Sequence, residues 1–423
     1  MFRKTTLKNG LRIITVPQNN TETVTVLVLA GTGSKYETKE MSGISHFLEH
    51  LFFKGTKKQT SPRILAETLD KVGGIYNAFT SEECTGFFAK VEASHFELAL
   101  DWVSDIFLNS LLPEKEIEKE KGVVIEEINM YRDHPMNYIH TLWTKLLYGD
   151  QPAGWDVAGS KETVLKITRQ NLIDYVQNHY TASNTVICIA GKIEESNGLA
   201  LAEKYFSKIN TAQALGKLKV VEGQNRPECL IYYKKTDQTH FCLGVRGYNL
   251  SHPQKYSQEL LATILGAGGM MSNRLFTELR EKLGLAYYVR TEADANPDTG
   301  FLVTNAGVDN TRVEKSILTI LKEYKKISQI KVPLGELKKA KDNIKGKMAI
   351  YLETSDSQSS FYGLQEILER KILTPKELFK RIDKVSQNDI LKVAKDIFRP
   401  ERLNLALIGP FGDKAKFEKL LKF

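Results

Sequence analysis

The sequence predicts an α+β protein made of two homologous domains, and three observations support this prediction. The chain has 423 residues, of which 42% are hydrophobic and 26% are charged, as in ordinary globular proteins of two or three domains. Short segments with alternating apolar residues stand between longer segments whose apolar residues recur at helical spacing. Finally, segments 167–191 and 385–409 share one pattern at a constant offset.

The N-terminal half contains both periodicities in turn. Ser61 and Pro62 are typical of a helix N-cap and the first helical residue after it. Alternating residues predict strands at 11–15, 24–30, 75–79 and 85–91. Helical spacing predicts helices at 43–53, from 62 to a Gly73-Gly74 stop, and at about 94–109 and 114–132.

The repeated pattern indicates a duplication. In each copy a polar cap precedes an amphipathic helix, an aromatic residue, a turn, an apolar strand and a glycine, so that Thr168 corresponds to Ser386 and Gly191 to Gly409. Two helix–turn–strand units can also match by chance, but we favour a duplicated domain of roughly 200 residues. The domains are then residues 1–212 and 229–423, joined by a polar linker at 213–228 that contains glycine and proline.

Composition argues against several classes of protein. The net charge is +8, but the lysines are dispersed and no compact basic run has interleaved aromatic residues, so we expect no nucleic-acid partner. We also expect no membrane partner, because no apolar stretch reaches about 18 residues. The basic N-terminus lacks a following apolar region, which favours a cytoplasmic location. The four scattered cysteines predict buried, reduced thiols.

The strongest chemical signal is the sequence His46-Phe47-Leu48-Glu49-His50. On a helix, His46 and His50 lie one turn apart on one face, where two imidazoles can hold one Zn²⁺. Glu49 borders that face, where a carboxylate can accept a proton from water. The order H-x-x-E-H is the inverzincin arrangement. The alternative is a helix with two histidines that bind no metal.

A zinc site with two histidines needs a third protein ligand, and the helix predicted at 114–132 offers candidates. Glu120 and Glu127 are two helical turns apart on one face, whereas Glu126 points elsewhere. Three apolar residues support an amphipathic helix here: Val123, Val124 and Ile128. Taken alone, the stretch is also typical of a charged, exposed helix.

Three runs of sequence together carry a family resemblance: SGISHFLEHLFFKGT, GGIYNAFTSEECTGFF and EKEKGVVIEEINMYRD. They resemble the family of zinc endopeptidases that contains pitrilysin, mitochondrial processing peptidase and insulin-degrading enzyme, and the similarity covers nearly the whole chain. The resemblance implies the processing-peptidase-like metallohydrolase fold. In that fold, two homologous domains, each a mostly antiparallel sheet packed with helices, form half of a clamshell.

The resemblance also implies roles for individual residues. The zinc ligands become His46, His50 and a glutamate 76 or 77 residues after the second histidine, which is Glu126 or Glu127. Glu127 is preferred, because the family has a supporting acid seven residues before the ligand and Glu120 stands at that position. Glu49 becomes the catalytic base.

Two further sets of residues follow from the same resemblance. Asn77, Ala78 and Phe79 resemble a substrate-binding edge strand that pairs with the peptide backbone; an ordinary strand is the alternative. Arg280 and Tyr287 resemble the family's pair that binds substrate and stabilises the oxyanion. Without the resemblance they are typical of a basic helix end and a core tyrosine.

The function implied is a zinc-dependent endopeptidase that cleaves peptides or unfolded polypeptides inside an enclosed chamber. The second half carries no H-x-x-E-H, so it resembles the degenerate domain of the family. Its GAGG sequence at 266–269 lacks the P-loop lysine and the G-x-G-x-x-G spacing, which argues against nucleotide binding. Short members of the family have two domains per chain and long members have four, so the resemblance implies that this chain pairs, either as a homodimer or with a degenerate partner. The alternative function is a non-catalytic structural or assembly subunit of the same family.

Overall fold

The computed structural model describes residues 2–423. The strands are β1 (Arg3–Thr6), β2 (Arg12–Pro17), β3 (Thr23–Ala30), β4 (Ile75–Thr80), β5 (Thr85–Glu92), β6 (Thr185–Gly191), β7 (Glu228–Tyr233), β8 (Gln238–Arg246), β9 (Ala286–Ala295), β10 (Gly300–Asp309) and β11 (Leu403–Gly409). The helices are α1 (Ile44–Phe52), α2 (Pro62–Asp70), α3 (Phe96–Asn109), α4 (Glu114–Asp133), α5 (Pro135–Tyr148), α6 (Lys161–Lys166), α7 (Arg169–His179), α8 (Glu195–Tyr205), α9 (Lys255–Leu265), α10 (Val313–Gln329), α11 (Leu334–Tyr351), α12 (Ser355–Glu369), α13 (Pro375–Lys384), α14 (Gln387–Ile397) and α15 (Lys414–Glu418). The strands and helices predicted for the first 132 residues are all present, with ends shifted by one or two residues. This confirms the predicted α+β class.

The first compact unit comprises residues up to Asn129 together with Trp155–Leu218 and Ala349–Leu373. Its sheet has the order β1-β2-β6-β3-β5-β4, in which β2 and β6 are parallel and the other neighbours antiparallel. Alternate residues of β3 face opposite sides of the sheet. One side packs on helices that include α1, α3 and α7, and the other side packs on α12.

The second compact unit comprises Met130–Gly154, Lys219–Met348 and Thr374–Phe423. Its sheet has the order β7-β11-β8-β10-β9, again with one parallel pair, β7 and β11. One side of this sheet packs on helices that include α9, α10 and α14, and the other side packs on α5. The two sheets therefore follow the same plan.

The internal repeat folds alike in both copies. Helices α7 and α14 and strands β6 and β11 begin and end at positions that correspond at the constant offset. Thr168 and Ser386 each form a capping box with the third helical residue, Asn171 and Asp389 respectively. Each strand then lies between one parallel and one antiparallel neighbour. The repeat is a structural one.

The compact units do not follow the two halves of the sequence at 1–212 and 229–423. Residues 130–154, which contain α5, belong to the second unit, and residues 349–373, which contain α12, belong to the first. Each sheet buries apolar residues on both sides and so needs cover on both. A helix from the other half of the sequence provides the second cover, which no contiguous division of the chain describes.

All four cysteines are buried and unpaired, as the sequence predicts. Among the helices of residues 2–423, none combines the length and the apolar character needed to cross a bilayer.

Candidate metal centre

Helix α1 presents an apolar face to the core of the first unit and a polar face away from it. Phe47, Leu48 and Leu51 are fully buried, whereas His46, Glu49 and His50 are half-buried. The two histidines lie with their rings edge to face and their centroids 4.7 Å apart. The local sequence therefore folds as predicted, with both imidazoles on one face of a helix.

Helix α4 brings the second set of predicted residues. Ile117, Val124 and Ile128 are buried in the core of the first unit, and Glu120 is buried with them. Glu127 is half-buried and Glu126 is exposed. Of the three apolar residues that predicted an amphipathic helix, Val124 and Ile128 are buried, whereas Val123 is 47% exposed. It lies one position before Val124 and so about 100° around the helix.

His46, His50 and Glu127 converge. Each offers one ligand atom, and these three atoms lie within 4.8 Å of one another. The Nε2 atoms of His46 and His50 are 3.7 Å and 3.3 Å from Oε2 of Glu127. Ligand atoms about 3.3 Å apart are what tetrahedral zinc needs at its usual bond lengths.

Glu120 binds the ring nitrogen of His50 that does not contact Glu127. Its Oε1 lies 3.1 Å from Nδ1 of His50. Its Oε2 forms an ion pair with Nζ of Lys54 at 2.8 Å. A carboxylate bound to one ring nitrogen directs the other nitrogen to the metal position. Lys54 is absent from the sequence-based predictions, although its spacing of four residues from His50 was a usable signal.

The pKa values of the two histidines are shifted in opposite directions. Burial lowers the pKa of His46 to about 4, with a further lowering by nearby His50. Burial alone would lower the pKa of His50, but its hydrogen bonds to Glu120 and Glu127 raise it to about 9. The hydrogen bond from His50 lowers the pKa of Glu127. Burial raises the pKa of Glu49.

The donor set suits zinc better than a hard cation, because two imidazoles and one carboxylate are typical catalytic zinc ligands. His46 has a buried Nδ1 with no hydrogen-bond partner among the described residues, so the metal-facing Nε2 carries its polar interactions. Three protein ligands leave a further coordination position for water or substrate. The residues present therefore fit a catalytic zinc ion.

Two family models match the chain. The model described as insulinase, peptidase family M16, matches residues 12–160, and the one described as peptidase M16 inactive domain matches residues 166–344. An uncharacterised zinc protease of Bacillus subtilis, YmxG, is 36% identical over 98% of this chain and 99% of its own length. The chain belongs to peptidase family M16.

Other M16 relatives and solved structures agree with this assignment. Uncharacterised zinc proteases of Rickettsia felis and Mycobacterium tuberculosis are 32% and 31% identical, over 97% and 99% of this chain and 98% and 96% of their own. A protease from Helicobacter pylori superposes with a TM-score of 0.89 at 23% identity, covering 97% of this chain and 99% of that one. A chain of complex III from Candida albicans superposes with a TM-score of 0.84 at 18% identity over the full length of both. The predicted fold of M16 proteins, with two domains that each pack helices on a mostly antiparallel sheet, is confirmed.

The predicted substrate strand of this M16 chain is β4. It is the edge strand of its sheet and packs against α1, which carries the histidines. Asn77 is exposed, Phe79 half-buried and Ala78 buried. An extended peptide could therefore join the sheet beside the metal centre. The geometry suits the predicted role, which stays a prediction.

The Arg and Tyr of the second M16 domain lie beside each other. Arg280 belongs to a π-helical segment, Phe276–Lys282, and Tyr287 to β9. The guanidinium of Arg280 is 6.0 Å from the ring centroid of Tyr287 and 5.1 Å from that of Phe276. Tyr287 is 68% exposed, so it is not the core tyrosine considered as an alternative. Their role in substrate binding stays a prediction.

Proposed function

We propose that the protein is a zinc-dependent endopeptidase that hydrolyses peptides or unfolded polypeptides. The observation that carries this proposal is the convergence of His46, His50 and Glu127, with Glu49 on the same helix as both histidines. When bound there, zinc supplies a Lewis acid that lowers the pKa of water and polarises a peptide carbonyl.

The residues of the chain supply the remaining chemistry. Glu49 takes a proton from the attacking water and later passes it to the leaving amine. Burial raises the pKa of Glu49, which brings it closer to the neutral range where a base is also an effective acid. Glu120 holds the ring of His50 in its metal-binding orientation.

The proposed substrates are extended chains. An exposed edge strand binds a peptide through backbone hydrogen bonds, and a folded protein has few free segments that can make them. We therefore expect the metal centre and β4 to act on short peptides and unfolded polypeptides, inside the enclosed chamber that the family resemblance implies.

The test is digestion of a mixture of unstructured peptides, read by mass spectrometry, with and without a zinc chelator. We expect cleavage that the chelator abolishes and added zinc restores, and much faster cleavage of a denatured protein than of its folded form. A protein that binds zinc but cleaves nothing would favour the alternative, a non-catalytic subunit. Equal rates on folded and denatured substrate would contradict the chamber.

Zinc binding should release about one proton per chain at neutral pH. With a pKa of about 9, His50 of the metal-free protein is protonated at pH 7, and it must lose that proton to become a ligand. His46, with a pKa of about 4, is already neutral. Zinc affinity should therefore rise roughly tenfold per pH unit through the neutral range and level off above the pKa of His50. Calorimetry in buffers of different ionisation enthalpy measures the release; an affinity independent of pH between about 6 and 8 would contradict it.

We propose further that two chains form a C2 homodimer in which Arg280 and Tyr287 of one chain face the zinc of the other. The support is that one chain of 423 residues carries both the metal centre and the exposed Arg–Tyr pair. A two-fold axis then creates two equivalent composite sites. The alternative is a heterodimer with a degenerate partner.

Mixing two inactive variants tests this arrangement. Glu49→Gln and Tyr287→Phe chains should each be nearly inactive alone. In a heterodimer one site carries both defects and the other carries neither, so random pairing should restore about a quarter of wild-type activity. Activity of the chain mixture is the measurement, and mass spectrometry of the dimers verifies exchange. Proven exchange without recovery would rule out sites shared between two copies.

A further inference from the structure

The N-terminus of α1 is held by a carboxylate from outside the helix. Glu37 lies six residues before Gly43, and its side chain accepts hydrogen bonds from the backbone N–H groups of Gly43, at 2.7 Å, and of Ser45, at 2.9 Å. Glu37 and Ser45 are both buried. The carboxylate satisfies two of the N–H donors that every helix leaves free at its start.

The residue at the N-cap position, Gly43, has no side chain that could accept these hydrogen bonds. Its φ of 96° lies in the left-handed region that favours glycine. A Cβ atom added there would lie 2.7 Å from the carbonyl oxygen of Ala158 and 2.9 Å from Cα of Gly159. Since no capping side chain fits at this position, the acceptor has to come from elsewhere, and Glu37 provides it.

A second contact fixes the same turn. The hydroxyl of Ser45 lies 2.9 Å from the hydroxyl of Tyr175 on α7, which lies 3.0 Å from the hydroxyl of Thr32. All three residues are buried. Ser45 is thus held through its backbone by Glu37 and through its side chain by Tyr175, and it directly precedes His46 in the chain.

The consequence concerns the direction of the two histidines. Helix α1 has nine residues, so a rotation or shift of its first turn moves His46 and His50 together. Glu127 stands on another helix and does not follow that movement. The distances from Glu127 to the two histidines therefore depend on where the first turn of α1 is anchored.

We propose that Glu37 is a positioning residue for the metal centre, which fixes the first turn of α1 so that His46 and His50 face Glu127. This inference rests on the proposed zinc function. It assigns Glu37 a role beyond stability, since the same carboxylate sets the geometry of two metal ligands that it does not touch. Tyr175 acts with it through the hydroxyl of Ser45.

The test compares Glu37→Gln with Glu366→Gln. In Glu37→Gln the side chain keeps one acceptor oxygen, but its NH₂ group replaces the other oxygen. That NH₂ group is a donor and faces a backbone N–H group that is also a donor. Glu366 is the matched control: it is a buried carboxylate of the same unit, paired with Arg12 and Lys4, on α12 instead of beside α1. Both variants should lower the thermal midpoint.

Only Glu37→Gln should alter the metal centre. We expect zinc affinity about tenfold weaker or more, a changed visible spectrum of the Co²⁺-loaded protein, and, at saturating zinc, a kcat lowered about tenfold or more with KM little changed. Glu366→Gln should keep the wild-type affinity, spectrum and kcat. Wild-type values for Glu37→Gln, or equal losses in both variants, would overturn the positioning role.

Tyr175→Phe keeps the test decisive if Glu37→Gln fails to fold. It removes one hydroxyl group, and we expect changes in zinc affinity, Co²⁺ spectrum and kcat in the same direction but smaller. An unchanged zinc affinity and Co²⁺ spectrum would overturn the proposal. A wild-type protein that binds no zinc would instead overturn the proposed function. The two failures are therefore distinguishable before any variant is compared.

Discussion

Replacing Glu49 by glutamine should lower kcat by about a hundredfold to ten-thousandfold and leave one zinc ion per chain. The amide has nearly the same shape as the carboxylate but cannot accept a proton at neutral pH. Glu49 is not among the three residues whose ligand atoms converge, so the metal should remain. Metal analysis of the purified variant and its steady-state rate on a peptide measure the two quantities.

His50→Ala is the contrasting variant for this experiment. It removes one of the converging nitrogen atoms and one of the two partners of Glu120, so both zinc and turnover should be lost. A Glu49→Gln protein without zinc would show that Glu49 is a ligand, and the assignment of base and ligands would have to be exchanged.

Replacing Glu127 by glutamine should weaken zinc binding by roughly a hundredfold or more, whereas the same change at Glu126 should have nearly no effect. The two glutamates are adjacent and chemically identical, but only Glu127 has an oxygen within 3.3 Å of a histidine nitrogen of the site. Competition with a chromophoric chelator measures both affinities under the same conditions.

Glu126→Gln is the matched control, because it changes the same charge one position away on an exposed part of α4. Strong loss of zinc in that variant, with wild-type affinity in Glu127→Gln, would move the ligand by one residue. It would also remove the sequence-based argument for Glu120, which depends on the seven-residue spacing, and would leave only its contact with His50.

The helices, the strands and the pair of histidines could be predicted because their sequence signals are short-range. Ser61 caps α2 and Thr168 caps α7 through contacts within four residues, and such patterns are visible in a sequence. His46 and His50 share a face because any helix places residues four apart on one side. The distal Glu127 followed from a family resemblance, since spacing alone left Glu120 open as well.

The remaining features depend on tertiary packing, which leaves little local trace. The exchange of α5 and α12 between the compact units brings together residues far apart in the chain, and the sequence-based domain ranges do not describe it. The sequence did not reveal the role of Glu37, because this residue lies outside α1 and its distance along the chain from the histidines does not correspond to a helical spacing. Val123 does not share the buried face of Val124, because neighbouring residues on one helix point in directions about 100° apart.

The position of α12 bears on the order in which the chain can fold during synthesis. Residues 1–212 include every strand of the first sheet, but one side of that sheet buries Leu27, Leu29 and Cys188 against helix residues such as Tyr362. A nascent chain that has passed residue 212 therefore still exposes an apolar sheet surface to solvent. The zinc-binding unit reaches its final packing only after residue 373 has been made. Neither half of the gene product should form a stable protein by itself, because each sheet would lack the helix that covers one of its sides.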